Sequence, residues 1–251
     1  MRINSFVNPD ALKSDRVVLS PEESHHLARV LRVETGQKLT LFDGQGTRAE
    51  GLIDSVTKKE ITVRVTSRET IEAPAVEITL IQAVCKPDRF EMILQKATEI
   101  GVRSIQPVIT ANAGLPAGKI DKMISRGEAI IHNAAQQCGT AWLPKFLPLK
   151  RLSDISFESS VTLVGSLHPN AKPFKEAFGQ LREAGRMPAN HTAGFQSASV
   201  ALLIGPEGDF TEEEVNAAVD AGAIPVTFGK QILRTETAAI FGLSVLAYEL
   251  F

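Results

Sequence analysis

The chain has very little cysteine, tryptophan or tyrosine, and no strong charge of either sign. Two cysteines occur in 251 residues, Cys85 and Cys138, with no CxxC spacing and no histidine cluster beside them. Structural zinc needs four ligands at short spacings, so no metal site is expected. Both thiols read as buried small hydrophobes in a reducing cytoplasm. A single tryptophan, Trp142, and a single tyrosine, Tyr248, leave no evident aromatic platform for stacking single-stranded bases. No stretch approaches the ~20 apolar residues that span a bilayer. The segment Met1–Asp10 lacks the apolar run of a signal peptide. The expectation is a cytoplasmic protein with no membrane partner. GxGxxG, GxxxxGKS/T and HExxH are all missing, which leaves a dinucleotide fingerprint, a P-loop and a zinc protease without support. No Ser–His–Asp arrangement or paired-carboxylate signature stands out either.

What is present is an ordinary globular composition, 43% hydrophobic and 22% charged, enough for a sizeable core. The net charge of −2 argues against a general polyanion binder. Its distribution is uneven: residues 85–151 carry 10 Lys+Arg against 5 Asp+Glu, and residues 152–251 carry 6 against 12. The middle third is thus the candidate electrostatic footprint for a nucleic acid, with solvated lysines as the plain alternative.

The first ~72 residues read as β-rich, with strands over Lys38–Asp43, Arg48–Val56 and Glu60–Thr66. One helix interrupts them: Ser20-Pro21-Glu22-Glu23 is a capping-box start, and Gly36 lies beyond the end. Short strands at this spacing predict a small barrel. A polar stretch, Ser67–Pro74, follows, and then strands and helices alternate. Strands are expected over Val76–Val84, Ser104–Ile109, Val161–Ser166, Val200–Ile204 and Pro225–Phe228. Helices are expected over Pro87–Ile100, Lys119–Gln137, Pro173–Ala184, Thr211–Ala221 and Thr235–Leu250, and a surface loop over Gly185–Ala198. This alternation predicts a mostly parallel sheet with helices on both faces. The last helix, from Ala238 to Phe251, is apolar enough to be an interface or plain core.

Two glycine-bearing turns stand out, Leu202 to Phe210, around Gly205-Pro206-Glu207-Gly208, and Phe228 to Ala238, around Gly229. Each reads as a strand ending abruptly before a helix, where ligands of α/β proteins bind. The expectation is one site built from two neighbouring strand ends, with a ligand-free tight turn as the alternative. In the second turn, Thr235 reads as an N-cap and Glu236 as an acid at the positive end of a helix. Arg234 is harder to explain, because a helix N-terminus disfavours a cation. It needs a compensating anion: Glu207, Glu236, or a phosphate or base of a substrate. Lys86, Arg89 and Lys96 lie before or on the Pro87–Ile100 helix, off its apolar face, facing solvent or RNA phosphates. His132 and Gln136 share a helix face. Arg29 and Arg32, beside His25 and His26, suit phosphate contacts on a small RNA-binding barrel.

These motifs resemble the RsmE family of RNA methyltransferases. The resemblance rests on the two turns, on Lys86-Pro87-Asp88-Arg89-Phe90, on Lys96 to Val102, on Asn133 to Gly139, and on His25 to Val33 with Gly36. It runs in order over nearly the whole chain. It implies a SPOUT-class enzyme that methylates N3 of a uridine in 16S ribosomal RNA with S-adenosylmethionine. It also implies an α/β architecture: an N-terminal PUA-like β-barrel over 1–72, which binds RNA, and a C-terminal domain over 73–251 tied in a trefoil knot. The enzyme would act as a homodimer on 16S rRNA or the small ribosomal subunit. The implied cofactor pocket comprises Leu203, Ile204, Gly205, Pro206, Glu207, Gly208, Gly229, Ile232, Leu233, Arg234, Thr235, Glu236, Thr237 and Ala238. Arg234 is then the cation beside the base, and the proton acceptor is Glu207, the backbone or solvent. RNA contacts fall to Arg29, Arg32, Lys86, Arg89, Lys96, His132 and Gln136. The chain departs from the family pattern at Asp209, usually a second glycine, at Thr140, usually an arginine, and near Ala113-Gly114, where an Arg-Ser pair is usual. A methyltransferase of another RNA position or of a ribose 2′-hydroxyl, and a non-catalytic RNA-binding protein, remain alternatives.

Overall fold

The computed structural model describes residues 3–57, 59–157, 161–183 and 198–251. The described chain divides into two compact units. One comprises residues 1–73 with 132–143, the other 74–131 with 144–251.

In the first unit, β1 (Asn4–Phe6), β2 (Arg16–Val18), β3 (Lys38–Phe42), β4 (Thr47–Val56) and β5 (Ile61–Thr70) form one sheet in the order β1-β3-β4-β5-β2. The inward positions alternate, as Ile61, Val63 and Val65 show along β5, and they pack with Leu27, Leu39, Leu41 and Ile53. β5 runs past the expected end at Thr66, because Thr47–Glu50 of β4 continues to pair with Ser67–Thr70. α1 (Pro21–His25) starts where expected, with the Ser20 hydroxyl accepting from the Glu23 amide. The reciprocal half of the capping box is absent: Glu23 instead accepts from the Ser5 hydroxyl and from Nε2 of Gln136. The chain then widens into a π-helical turn over His26–Leu31 and stops at Arg32, whose φ of 51° is left-handed. Arg29 and Arg32 are exposed at this turn.

Residues 132–143, assigned by sequence to the larger domain, are held in the first unit. The His132 ring stands edge-on to Phe6 at 4.6 Å. The Gln136 carbonyl accepts from Nδ2 of Asn4 at 2.7 Å. Thr140 turns its hydroxyl onto the Trp142 carbonyl, and the Trp142 indole donates to the Ile71 carbonyl at 3.1 Å. Gly46, at φ +97°, lets that indole approach: a Cβ there would lie 2.4 Å from Trp142 Cζ2. Cys138 is exposed, contrary to expectation, and only Cys85 is buried.

The second unit carries β6 (Val76–Ala83), β7 (Ser104–Ile109), the two-residue strands β8 (Lys145–Phe146) and β9 (Lys150–Arg151), β10 (Val161–Gly165), β11 (Lys172–Pro173), β12 (Ala198–Ile204) and β13 (Ile224–Thr227). Their order is β11-β13-β10-β12-β6-β7-β8, with β9 also pairing β7, and every pairing is parallel. Its helices are α2 (Pro87–Ile100), α3 (Ala117–Ser125), the start of α4 (Gly127–Cys138, whose residues from His132 belong to the first unit), α5 (Phe174–Glu183), α6 (Glu212–Asp220) and α7 (Thr235–Leu250). The single helix expected over Lys119–Gln137 is broken at Arg126, and Gly127 then packs against the Phe146 ring. Strand alternation gives β12 two buried faces. Ala201 and Leu203 pack with Val215 and Ala218 of α6, while Leu202 meets Gly242 of α7. The loop expected over Gly185–Ala198 lies outside the described residues, apart from Ala198, which opens β12.

Replacing Gly46 with alanine combines a left-handed backbone with a clash against Trp142. The expected cost is about 2–4 kcal/mol. Thermal denaturation should show the midpoint of the variant lower by on the order of 10 °C.

Candidate active site

The carboxyl ends of β10, β12 and β13 border a cavity of about 260 Å³. The two motif strands are not neighbours: β10 lies between them, so three strand ends build the site rather than two. The chain steps inward from β10 to β12 and then outward across β10 to β13. Such a reversal of strand order is where open parallel sheets form a crevice.

From the first turn, Ile204, Gly205, Pro206, Glu207 and Asp209 line the cavity. From the second, Ile232, Leu233, Arg234, Thr235 and Ala238 do so. Other motif residues sit behind the wall. Leu203 is fully buried against α6, on the face of β12 away from α7. Gly208 abuts Asn112, whose Nδ2 donates to the Gly208 carbonyl at 3.1 Å. Gly229, at φ +134°, has its carbonyl bound by the Thr227 hydroxyl at 3.0 Å. Glu236 and Thr237 are not in the lining.

Sequence reasoning missed the end of β10, Gly165-Ser166-Leu167, and Val226 and Thr227 of the wall, whereas Phe228, which opens the second turn, does line the cavity. The available signal was a glycine ending an apolar strand. Gly165 is required by close approach, because a Cβ there would lie 2.8 Å from the Phe228 ring and 3.1 Å from Ile204. Asp209 adopts φ 57°, the left-handed conformation glycine takes freely and aspartate tolerates. The departure from a second glycine therefore keeps the shape of the turn.

Thr235 is the first residue of α7 and not its cap. Arg234 is the cap, and its side chain makes no capping hydrogen bond. The Thr235 hydroxyl instead donates to the Gly205 carbonyl at 2.6 Å and accepts from Nε2 of Gln82 at 3.2 Å. Both side chains are buried, at 5% and 0% exposure. One hydroxyl thus joins the end of β12, the strand β6 and the start of α7.

Of the anions open to Arg234, the two glutamates are taken by another arginine. Neither Glu207 nor Glu236 pairs with Arg234, which is exposed and has no side-chain partner among the described residues. Both face Arg89, at 3.6 and 3.8 Å from its Nη1. Arg89, expected to face RNA phosphates, is a cavity-lining residue. Glu207 Oε1 also accepts from the Lys86 amide at 3.1 Å, which fastens the first turn to the start of α2. Burial first, and then the two carboxylates, push the nearby Cys85 thiol far above its ordinary range. Lys96 is spent on Glu99, three residues along α2, at 2.7 Å.

A second cavity of about 530 Å³ is lined by Ile109, Thr110, Arg151, Leu152, Phe157 and Ala218 among others, and contains none of the motif turns. Its size does not outweigh the convergence of strand ends, cations and carboxylates at the first.

The RNA methyltransferase domain family matches residues 72–247, and the RNA methyltransferase PUA domain family matches residues 19–66. The chain belongs to the RsmE family of RNA methyltransferases. A ribosomal RNA small subunit methyltransferase E of Mesomycoplasma hyopneumoniae is 33% identical over 175 residues, 68% of this chain and 69% of that one. A putative methyltransferase from Legionella pneumophila, solved in complex with the cofactor SAM, is 31% identical with a TM-score of 0.78, covering 99% of this chain and 98% of that one. The Neisseria gonorrhoeae ribosomal RNA small subunit methyltransferase E, bound to S-adenosylmethionine, is 28% identical with a TM-score of 0.80 at the same coverage.

Two outcomes follow from the local chemistry. Thr235→Val removes the hydroxyl donor from the buried Gly205 carbonyl and leaves one N–H of the buried Gln82 amide without its acceptor, and should cost about 1–3 kcal/mol in denaturant titration, with Thr235→Ser near wild type. A thiol reagent at neutral pH should label Cys138 alone in the native protein, and both cysteines after denaturation.

Proposed function

We propose that this protein transfers the methyl group of S-adenosylmethionine to N3 of a uridine in 16S ribosomal RNA of the small subunit. The observation that carries the reading is the cavity at three parallel strand ends, formed with the two turns that mark the RsmE family, with Arg234 exposed and without an ion pair among the described residues at its edge. The residues fit the cofactor. Leu167, Val226, Phe228, Ile232 and Leu233 offer an apolar wall for a purine, and Glu207 and Asp209 place negative charge in the lining, which suits a cationic sulfonium. When bound, S-adenosylmethionine supplies an electrophilic methyl group.

The protein's own share is positioning and charge. Uridine N3 carries a proton and is a poor nucleophile until that proton leaves. A cation held at the cavity stabilises the negative charge that then develops on the base. Arg234 is suited to this, because it lines the cavity, sits where helix electrostatics disfavour it, and has no anionic partner among the described residues. Aligning the attacking nitrogen with the methyl group supplies the rest. Arg29 and Arg32 of the first unit are proposed phosphate contacts, in keeping with the PUA family match.

We further propose the trefoil knot and the homodimer. Support for the knot comes from the chain path. It leaves β13 outside β10, yet returns to pack α7 on β12, β6 and α2. Support for the dimer comes from α7, which exposes Phe241 and Tyr248 on an otherwise apolar helix.

Arg234→Ala should lower the methyl-transfer rate by roughly 10²–10³-fold. Its denaturation profile should match wild type, since the exposed side chain makes no hydrogen bond or ion pair among the described residues. Full activity in the variant would remove Arg234 from the mechanism. Titration calorimetry should show S-adenosylmethionine binding in preference to ATP or NAD, and the reverse preference would contradict the cofactor assignment.

A further inference from the structure

Arg89 occupies an unusual position. It lies in the first turn of α2, where the helix dipole disfavours a cation, as Arg234 does at α7. Two helices therefore each place an arginine against their own electrostatics, and both arginines line one cavity. The Arg89 side chain is 23% exposed and those of its carboxylate neighbours are 26% and 14%. Its distances to them, 3.6 and 3.8 Å, exceed hydrogen-bond range. None of its five guanidinium N–H donors is spent on a hydrogen bond among the described residues. Glu236 Oε2 is likewise buried with no donor. A guanidinium that is balanced in charge yet has unspent donors, at a cavity wall, is set to receive an acceptor from whatever enters.

We infer that Arg89 is a second catalytic cation of the uridine reaction proposed above, facing the pyrimidine carbonyls, and that Glu207 and Glu236 are its positioning residues. The N3–H proton leaves to water. The resulting charge spreads over O2, N3 and O4, and a guanidinium donating to one carbonyl oxygen stabilises it while leaving the N3 lone pair free to attack. The N3 lone pair forms the new N–C bond, and the electrons of the broken C–S bond return to sulfur. Glu207 already accepts from the Lys86 amide and faces Arg89, so its task is to aim the guanidinium and not to take the proton.

The test is single-turnover methyl transfer to small-subunit RNA across pH, at saturating S-adenosylmethionine, with cofactor affinity measured alongside. The wild-type product is identified first. A product other than N3-methyluridine would overturn the uridine reading itself, before any variant is made. Given that product, Arg89→Met should be roughly 10²–10³-fold slower at neutral pH with cofactor affinity within about threefold. Its pH–rate inflexion should move upward toward the ionisation of free uridine, and added guanidinium should restore part of the rate. Arg89→Lys should retain part of the rate, and serves where the methionine variant folds poorly. Glu236→Gln should shift the inflexion in the same direction by less. An unshifted inflexion in Arg89→Met, or a rate loss fully explained by weaker cofactor binding, would overturn the assignment.

Discussion

The site depends on one buried hydroxyl. Thr235 donates to the carbonyl that ends β12 and accepts from Gln82 of β6, so the start of α7 is fixed to two adjacent strands. That link sets where Arg234 and the Ile232–Leu233 wall stand relative to the Gly205–Glu207 turn, alongside the packing of α7 on β12. The chain between β13 and α7 must cross the end of β10 to reach this point. Gly165, placed under the Phe228 ring, lets it cross closely. Backbone economy and site geometry are therefore the same constraint, expressed at two residues.

The electrostatics are organised around arginines placed against local preference. Proteins that are consistent at every level depart from that consistency mainly at functional sites. Here the departures are specific: a cation at the cap of α7, a cation in the first turn of α2, and a carboxylate oxygen buried without a donor. All three lie within or directly behind one cavity wall. In the first unit, the π-helical turn and the left-handed Arg32 are a similar departure, again beside exposed cations.

Much of this was legible in the sequence, for reasons that are physical. The helices Pro87–Ile100 and Thr235–Leu250 and the strand Ser104–Ile109 match to the residue. Apolar period, a proline at the first turn and a glycine at the C-cap all agreed for the first helix. β1 and β2 were not legible, since three residues carry too little period to detect. The break at Gly127 depends on Phe146, a contact between distant residues that no local pattern encodes. The same holds at the site. Glycine turns announced Gly205 and Pro206, but the interposition of β10 is a fact of topology. Arg89 looked like a surface cation because helix spacing shows only which face is apolar, not which carboxylates arrive from elsewhere. Thr235 looked like a cap because its neighbours in sequence are a helix start, whereas its hydrogen bonds reach 30 and 153 residues away.

The central claim is that the cavity methylates a uridine of small-subunit ribosomal RNA at N3. Mass spectrometry of nucleosides is the most direct measurement, on small subunits lacking the modification and incubated with this protein and S-adenosylmethionine. The expected product is N3-methyluridine, dependent on both protein and cofactor. A ribose-methylated nucleoside, or no methylated product despite bound cofactor, would contradict it.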